Sequence, residues 1–346
     1  PGPRVADLPL QQSELETGLR QGLVDRLQSS AMGWIQDIVP NHMAFDADNP
    51  LLADLFENGP DSPYWDYFDI WWDHPVQRLR GRLTAPFLGR PYRECRDDGD
   101  ITLDIDARGL AATYGGLRFP LKIASYADVL KAATPATQQA LAENDPVRRQ
   151  WSALLDTFGG PLPPPAAGAQ PSRNAALKPS LGELYRHQTV IRRAIDAALH
   201  DFKERPGHDD RGRRLDRLLE AQYFRLCYWQ SANTEINYRR FFDINGLIAL
   251  RQEREPVFEH THRLLLELAG AGVVAGVRID HIDGLADPGG YLHSLRQRLP
   301  ETAPILVEKI LAAHETLPTG RWRGAPGTIS PTGSTGCSSS VRTKSA

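Results

Sequence analysis

Gly276-Val277-Arg278-Ile279-Asp280-His281-Ile282-Asp283-Gly284-Leu285-Ala286-Asp287-Pro288 decides how the rest of the chain is read. A short apolar run from Val273 to Ile279 ends abruptly in a cluster of charge. Val273, Val274, Val277 and Ile279 are β-branched, which in so short a segment favours a strand over a helix. Asp287-Pro288 and Gly289-Gly290 break the run, and Tyr291 to Leu299 resumes with helical spacing. The pattern is that of a buried strand delivering Arg278, Asp280, His281 and Asp283 to its C-terminal end, the end that carries the chemistry in α/β barrels. A strand end with a surface ion pair is the plainer reading of the same residues.

Two more stretches have this form. Trp34 to Val39 is a strand-like run that Pro40 stops just before Asn41 and His42, with Asp37 inside it. Leu15, Leu19, Leu23 and Leu27 predict an amphipathic helix over 13–29 ahead of it. Pro304 to Ile310 is a third short apolar strand and carries Glu308 near its end. Phe258 to Leu268 reads as a helix feeding the strand at 273–279. Helices alternating with strands that end in carboxylates predict an α/β fold with one shared site.

Between these pieces the texture changes. Tyr64, Trp65, Tyr67, Phe68, Trp71 and Trp72 crowd together among Asp66, Asp69 and Asp73, which suits either a platform for sugar rings or the core of a small insertion. Ile101, Leu103 and Ile105 alternate with polar residues, as does the stretch around Leu117 and Phe119, predicting a small antiparallel sheet. Ala127 to Trp151 reads as helical, and 159–180 is a Pro/Gly-rich loop. One helix follows on Leu184, Ile191, Ile195 and Leu199, and another on Leu215, Leu218, Leu219 and Leu226. Asn233 to Asp243 packs Asn, Tyr, Arg and Asp around two Phe residues, either as a substrate-contacting segment or as a structural junction.

Composition narrows the partners. With 346 residues and 41% hydrophobic content the chain can bury a large core in roughly one to three domains. A net charge of −3 provides no field for nucleic acid or an anionic membrane, and neither is expected as a partner. Cys95, Cys227 and Cys337 lie far apart with neither metal-ligand nor disulfide spacing, which fits a cytoplasmic chain with no metal and no cofactor. No stretch approaches the roughly 18 uninterrupted apolar residues of a spanning helix. Pro1 to Asp7 lacks the basic flank and apolar core of a secretory signal.

Two carboxylates on neighbouring strand ends suit glycosidic chemistry, because a retaining mechanism needs a nucleophile and an acid/base about 5–5.5 Å apart. Adjacent strands lie about 4.8 Å apart, so Asp280 and Glu308 can be held at that spacing. On this reading Arg278 keeps Asp280 ionised, a partly enclosed Glu308 is the acid, and His42 and Asp37 hold sugar hydroxyls or orient the nucleophile.

Asp37-Ile38-Val39-Pro40-Asn41-His42, Gly276-Val277-Arg278-Ile279-Asp280 and Val307-Glu308 resemble the first three sequence regions of the α-amylase superfamily, in order. With Phe56-Glu57-Asn58-Gly59-Pro60, Tyr67-Phe68-Asp69-Ile70, Ile236 to Asn245 and His281 to Pro288, the chain from about residue 15 to 318 is similar to the maltooligosyltrehalose synthase family. The resemblance implies an isomerase that turns the reducing-end α-1,4 bond of a maltooligosaccharide into an α,α-1,1 bond by intramolecular transglycosylation. By that carry-over Asp280 is the nucleophile and Glu308 the acid/base, while Asp37, Asn41, His42, Arg278, His281, Tyr238 and Arg239 contact substrate. It implies a maltooligosaccharide or α-1,4-glucan substrate and a pathway link to a trehalose-releasing hydrolase. The region 46–240, with the segment Tyr238 to Asp243, is the candidate lid that keeps the released glucose from water.

The implied fold is a partial (β/α)8 TIM barrel of the α-amylase type, with a large, mostly helical insertion after the third barrel strand. The divisions are 1–45 (helix and third strand), 46–240 (insertion), 241–315 (fourth and fifth strands) and 316–346, a tail free of acidic residues and expected to be disordered. The family's third carboxylate lies beyond Glu308, where nothing past residue 318 matches, as in a truncated or frame-shifted product. About three of the eight barrel strands are represented, which leaves open edges prone to aggregation. An α-glucan hydrolase or transglycosylase of the same superfamily, or an inactive fragment, remains the alternative.

Overall fold

A computed structural model describes residues 22, 24–27, 29–30, 32–46, 48–160, 177–202, 209–309 and 329–331. Its strands are β1 (Trp34–Ile38), β2 (His42–Ala44), β3 (Leu83–Leu88), β4 (Thr102–Asp106), β5 (Gly109–Tyr114), β6 (Leu117–Pro120), β7 (Phe224–Tyr228), β8 (Leu247–Ala249), β9 (Val274–Ile279), β10 (Ile305–Lys309) and β11 (Ile329–Pro331). The chain forms two compact units, one from residues 1–41 and 251–346 and the other from 42–250. The segment 46–240 expected as an insertion falls within the second.

The first unit is built on a parallel sheet in the order β1-β9-β10-β11. Residues alternate across β9, so Val277 and Ile279 are fully buried on one face while Arg278 and Asp280 share the other. The buried face meets the helices Glu255–Gly270 and Pro288–Arg298 through Phe258, Leu265, Tyr291 and Leu295. Gly276 is required by crowding, because a Cβ there would lie 2.6 Å from Pro304 Cγ and 2.8 Å from its carbonyl oxygen. Pro288 opens its helix at the first turn, and Asp287 caps it by accepting from the Gly290 amide at 2.9 Å. The strand, turn and helix expected at 273–299 are all present, and the whole is α/β.

The second unit contains the expected antiparallel sheet, β4-β5-β6, with two strand pairs, β2-β8 antiparallel and β3-β7 parallel. Three expectations are corrected here. The helical stretch at 127–151 is two helices, Tyr126–Ala140 and Pro146–Gly159, because Asp145 and Pro146 form a new N-terminus. The helix drawn through Leu184 to Leu199 is likewise two, Leu177–His187 and Thr189–Asp201. Leu226 belongs to β7 rather than to the helix before it, since Phe224-Arg225-Leu226 alternates and pairs with β3. Of the helix expected at 13–29, positions 22, 24–27 and 29 are helical and the remainder lies outside the described residues. The disorder expected for 316–346 also lies outside them, except at Ile329–Pro331, where β11 pairs with β10 instead.

Candidate active site

The register of the parallel sheet aligns the strand ends. Asp37 stands opposite Arg278, Ile38 opposite Ile279, and Val307 opposite Ile279 on the other side. The Asp280 amide donates to the Ile38 carbonyl at 2.9 Å, extending the ladder one residue past β9. Asp37, Asp280 and Glu308 are therefore gathered around one side chain. Arg278 Nη1 donates to Asp37 Oδ2 and Nη2 to Glu308 Oε2, each at 2.6 Å, and Nη1 lies 3.7 Å from Asp280 Oδ1. The hydrogen bond to Asp37, with the charges of Asp37, Glu308 and Asp280 behind it, raises the guanidinium above the ordinary arginine value.

This geometry shifts one expectation. Arg278 and Asp280 project from one face, two residues apart, and the pairing foreseen was between them. The long guanidinium reaches sideways instead, to the neighbouring strands, and its two short contacts are with Asp37 and Glu308. Glu308 is the most enclosed of the three carboxylates, at 24% side-chain exposure against 33% for Asp280 and 59% for Asp37.

His281 adopts a left-handed conformation, φ 52°, as the chain leaves β9. Its Nδ1 lies 3.4 Å from Asp283 Oδ1. Gly284 lies against its imidazole, where a Cβ would come within 2.2 Å of Cδ2 and 3.0 Å of Asn41 Cγ. Asn41 is buried. The bend at Pro40 that brings it there is held by buried Gln252, whose Nε2 donates to the Pro40 carbonyl at 2.9 Å. Gln252 was not among the residues picked from the sequence, and no local pattern marks it.

His42, Tyr238 and Arg239 lie in the other unit. His42 pairs with Ala249 across β2-β8, its ring 4.5 Å from that of Phe241. Tyr238 is buried, its hydroxyl donating to the Asn245 carbonyl at 2.8 Å, and burial raises its pKa. Arg239 Nε donates to Asp69 Oδ2 at 2.7 Å, and its Nη2 donates to the Leu250 carbonyl at 3.2 Å. The structure thus brings Asp37, Asn41, Arg278, Asp280, His281 and Glu308 together in one unit and His42, Tyr238 and Arg239 in the other. The aromatic cluster is mostly internal packing. Trp65 stacks on Trp72 at 3.7 Å, Tyr64 meets Tyr67 edge-on at 5.0 Å and Phe68 is buried, while Trp71 is exposed.

Among the described residues no group of three or more His, Cys, Asp or Glu is arranged to hold a metal ion, and no helix is long and apolar enough to cross a membrane. A guanidinium binding two carboxylates, with a third at its edge, gathers three carboxylates at one end of the sheet.

No family profile matches the chain. A protein of Mycobacterium tuberculosis provisionally named maltooligosyl trehalose synthase is 47% identical over 98 residues, which is 28% of this chain and 12% of that protein. Among solved structures, a glycosyltrehalose synthase superposes with a TM-score of 0.53 at 28% identity, covering 88% of this chain and 30% of its own. The maltooligosyltrehalose synthase of Arthrobacter ramosus gives 0.52 at 27% identity, covering 86% of this chain and 27% of its own. The chain thus spans less than a third of the length of the proteins it matches. These relatives bear the names of maltooligosyl- and glycosyltrehalose synthases, the family that the sequence was expected to resemble.

Proposed function

We propose that the chain carries the nucleophile and acid/base strands of a maltooligosyltrehalose synthase, an isomerase that converts the reducing-end α-1,4 bond of a maltooligosaccharide into an α,α-1,1 bond. The observation that supports this most is the Arg278 guanidinium joining Asp37 and Glu308 beside Asp280 on three consecutive parallel strands. In this reading β1, β9 and β10 are the third, fourth and fifth strands of an α-amylase-type barrel, and residues 46–240 are its insertion.

The chemistry follows from those groups. Asp280 attacks the anomeric carbon bound to O4 of the terminal glucose, and Glu308 protonates that oxygen as the bond breaks. The released glucose stays, turns and presents its own C1 hydroxyl. Glu308 takes the hydroxyl proton as the new bond forms and Asp280 departs. Two inversions preserve the α configuration. Proton donation requires Glu308 to be protonated, which the 2.6 Å contact from Arg278 opposes, so the bound sugar has to loosen that contact. Asn41 and His281 are the sugar-binding groups at the same strand ends. His42 and Arg239 are further substrate contacts, and buried Tyr238 acts through its bond to the Asn245 carbonyl, by holding the 241–247 segment. Trehalose release from the product is the task of a separate hydrolase, and the free thiols of Cys95 and Cys227 suit a cytoplasmic setting.

Incubating the purified chain and Asp280→Asn with maltopentaose tests this. The expected outcome is loss of reducing ends without glucose release, absent in the variant. Steady release of glucose would instead make the chain a hydrolase, and no turnover would leave it without the activity.

A further inference from the structure

In the unit of residues 42–250, the turn Gln77–Leu79 and the end of the helix Asp209–Glu220 border an open cleft of about 550 Å3. Arg78, Arg80, Arg82, Glu220 and Tyr223 line it. Arg82 is half-buried and pinned from two sides. Its Nη2 donates to the Arg78 carbonyl at 2.8 Å and its Nη1 to the Glu220 carbonyl at 3.4 Å. These carbonyls fix the guanidinium without neutralising it, and no carboxylate among the described residues pairs with it. Exposed Arg80 is held the same way, its Nε donating to the His74 carbonyl at 3.3 Å.

The only carboxylate engaged by the remaining arginines is Glu235, shared by Arg78 at 2.6 Å and Arg225 at 2.8 Å among the described residues. Three guanidinium groups, those of Arg78, Arg80 and Arg82, therefore line the cleft against one carboxylate, Glu220. Burial first, and then the charge of Arg225, push Arg82 below the ordinary arginine value, with Glu220 offsetting part of the effect. Positive charge is in local excess. Gly81, φ 69°, separates Arg80 from Arg82 in the cleft lining, and a Cβ there would meet nothing within 4 Å.

We propose that this cleft binds a dianionic phosphate group. A planar guanidinium fork matches phosphate oxygens in pairs, and one already fixed by backbone carbonyls loses little freedom when the anion arrives. The excess of two guanidinium groups over carboxylates matches a dianion better than a single carboxylate. None of these residues enters the glycosyl transfer, so the site stands whether or not that reading does.

Calorimetric titration of the purified chain with inorganic phosphate and with glucose 6-phosphate, at physiological salt, tests the site. Saturable binding is expected, weakened tenfold or more in Arg82→Gln, several-fold in Arg80→Gln, and unchanged in Arg90→Gln. Arg90 is exposed and bound to Asp98 and Asp100, so it is a control for nonspecific charge. Tighter binding of glucose 6-phosphate would identify a sugar phosphate as the source and tighter binding of phosphate the free ion, both supporting the site. No saturable heat with either probe, or equal affinity in the Arg80, Arg82 and Arg90 variants, overturns it. If circular dichroism shows Arg82→Gln unfolded, Arg80→Gln decides alone, and unchanged affinity there overturns the proposal.

Discussion

Two short segments carry the same kind of sequence and do opposite things. Arg278 to Asp283 and Asn237 to Asp243 both interleave charged or polar residues with apolar ones. In the first, the Arg278 guanidinium bonds, among the described residues, to the carboxylates of neighbouring strand ends. In the second, the polar groups mostly go to backbone. Asn237 is buried, its Oδ1 accepting from the Thr84 amide at 2.9 Å and its Nδ2 donating to the Arg82 carbonyl at 2.8 Å and the Leu79 carbonyl at 3.4 Å. Tyr238 bonds to the Asn245 carbonyl. One segment displays its polar atoms and the other uses them as braces. The density of polar residues does not separate a site from a joint; the identity of the bonding partners does.

Two substitutions can break that contrast. Arg278→Leu has the larger effect. Transglycosylation of maltopentaose should fall by roughly 100- to 1,000-fold, the scale of losing one preorganised charged donor. Its ion pairs are partly exposed, so stability in urea should change by less than about 1 kcal/mol. A collapse of the urea midpoint would make Arg278 a brace like Asn237. Asn237→Ala should behave in the opposite way and cost about 3 kcal/mol, because the buried Thr84 amide and the carbonyls facing Asn237 lose their partner. A loss under about 1 kcal/mol by urea melting would mean water replaces the side chain and the segment is not a brace.

How much of this was legible depends on whether the cause is local. The strand at 274–279 could be read because β-branching, the glycines and Asp287-Pro288 act within a few residues. The register setting Asp37 opposite Arg278 could not, as it pairs positions 241 residues apart. Leu226 fitted a helical spacing, and only β3, distant in sequence, makes it a strand. The aromatic run suited a platform or a core equally on paper; Trp65 and Trp72 cover each other's faces, and the sequence could not say which rings would pair. Gln252 stayed hidden because its role is to support a bend two hundred residues earlier in the chain.

The smallest effect sharpens the comparison from beneath the strand ends. His262 is buried on the core side of the first unit, stacked on Phe258 at 4.3 Å, with its Nε2 2.7 Å from the Tyr291 hydroxyl and its Nδ1 2.9 Å from the Phe258 carbonyl. Burial, with the charge of Arg298 adding and the Phe258 carbonyl opposing, lowers its pKa to about 4 from 6.5. The folded value lies below the unfolded one, so the unfolded chain gains a proton first as pH falls. The contribution is complete above about pH 6.5 and drains away toward pH 4, with about 2 kcal/mol lost between roughly pH 7 and 5. His262→Leu should remove that slope from urea melts while leaving Arg278 and its carboxylates in place. If the slope persists, groups other than His262 set it, and the acid sensitivity of this unit does not come from its buried histidine.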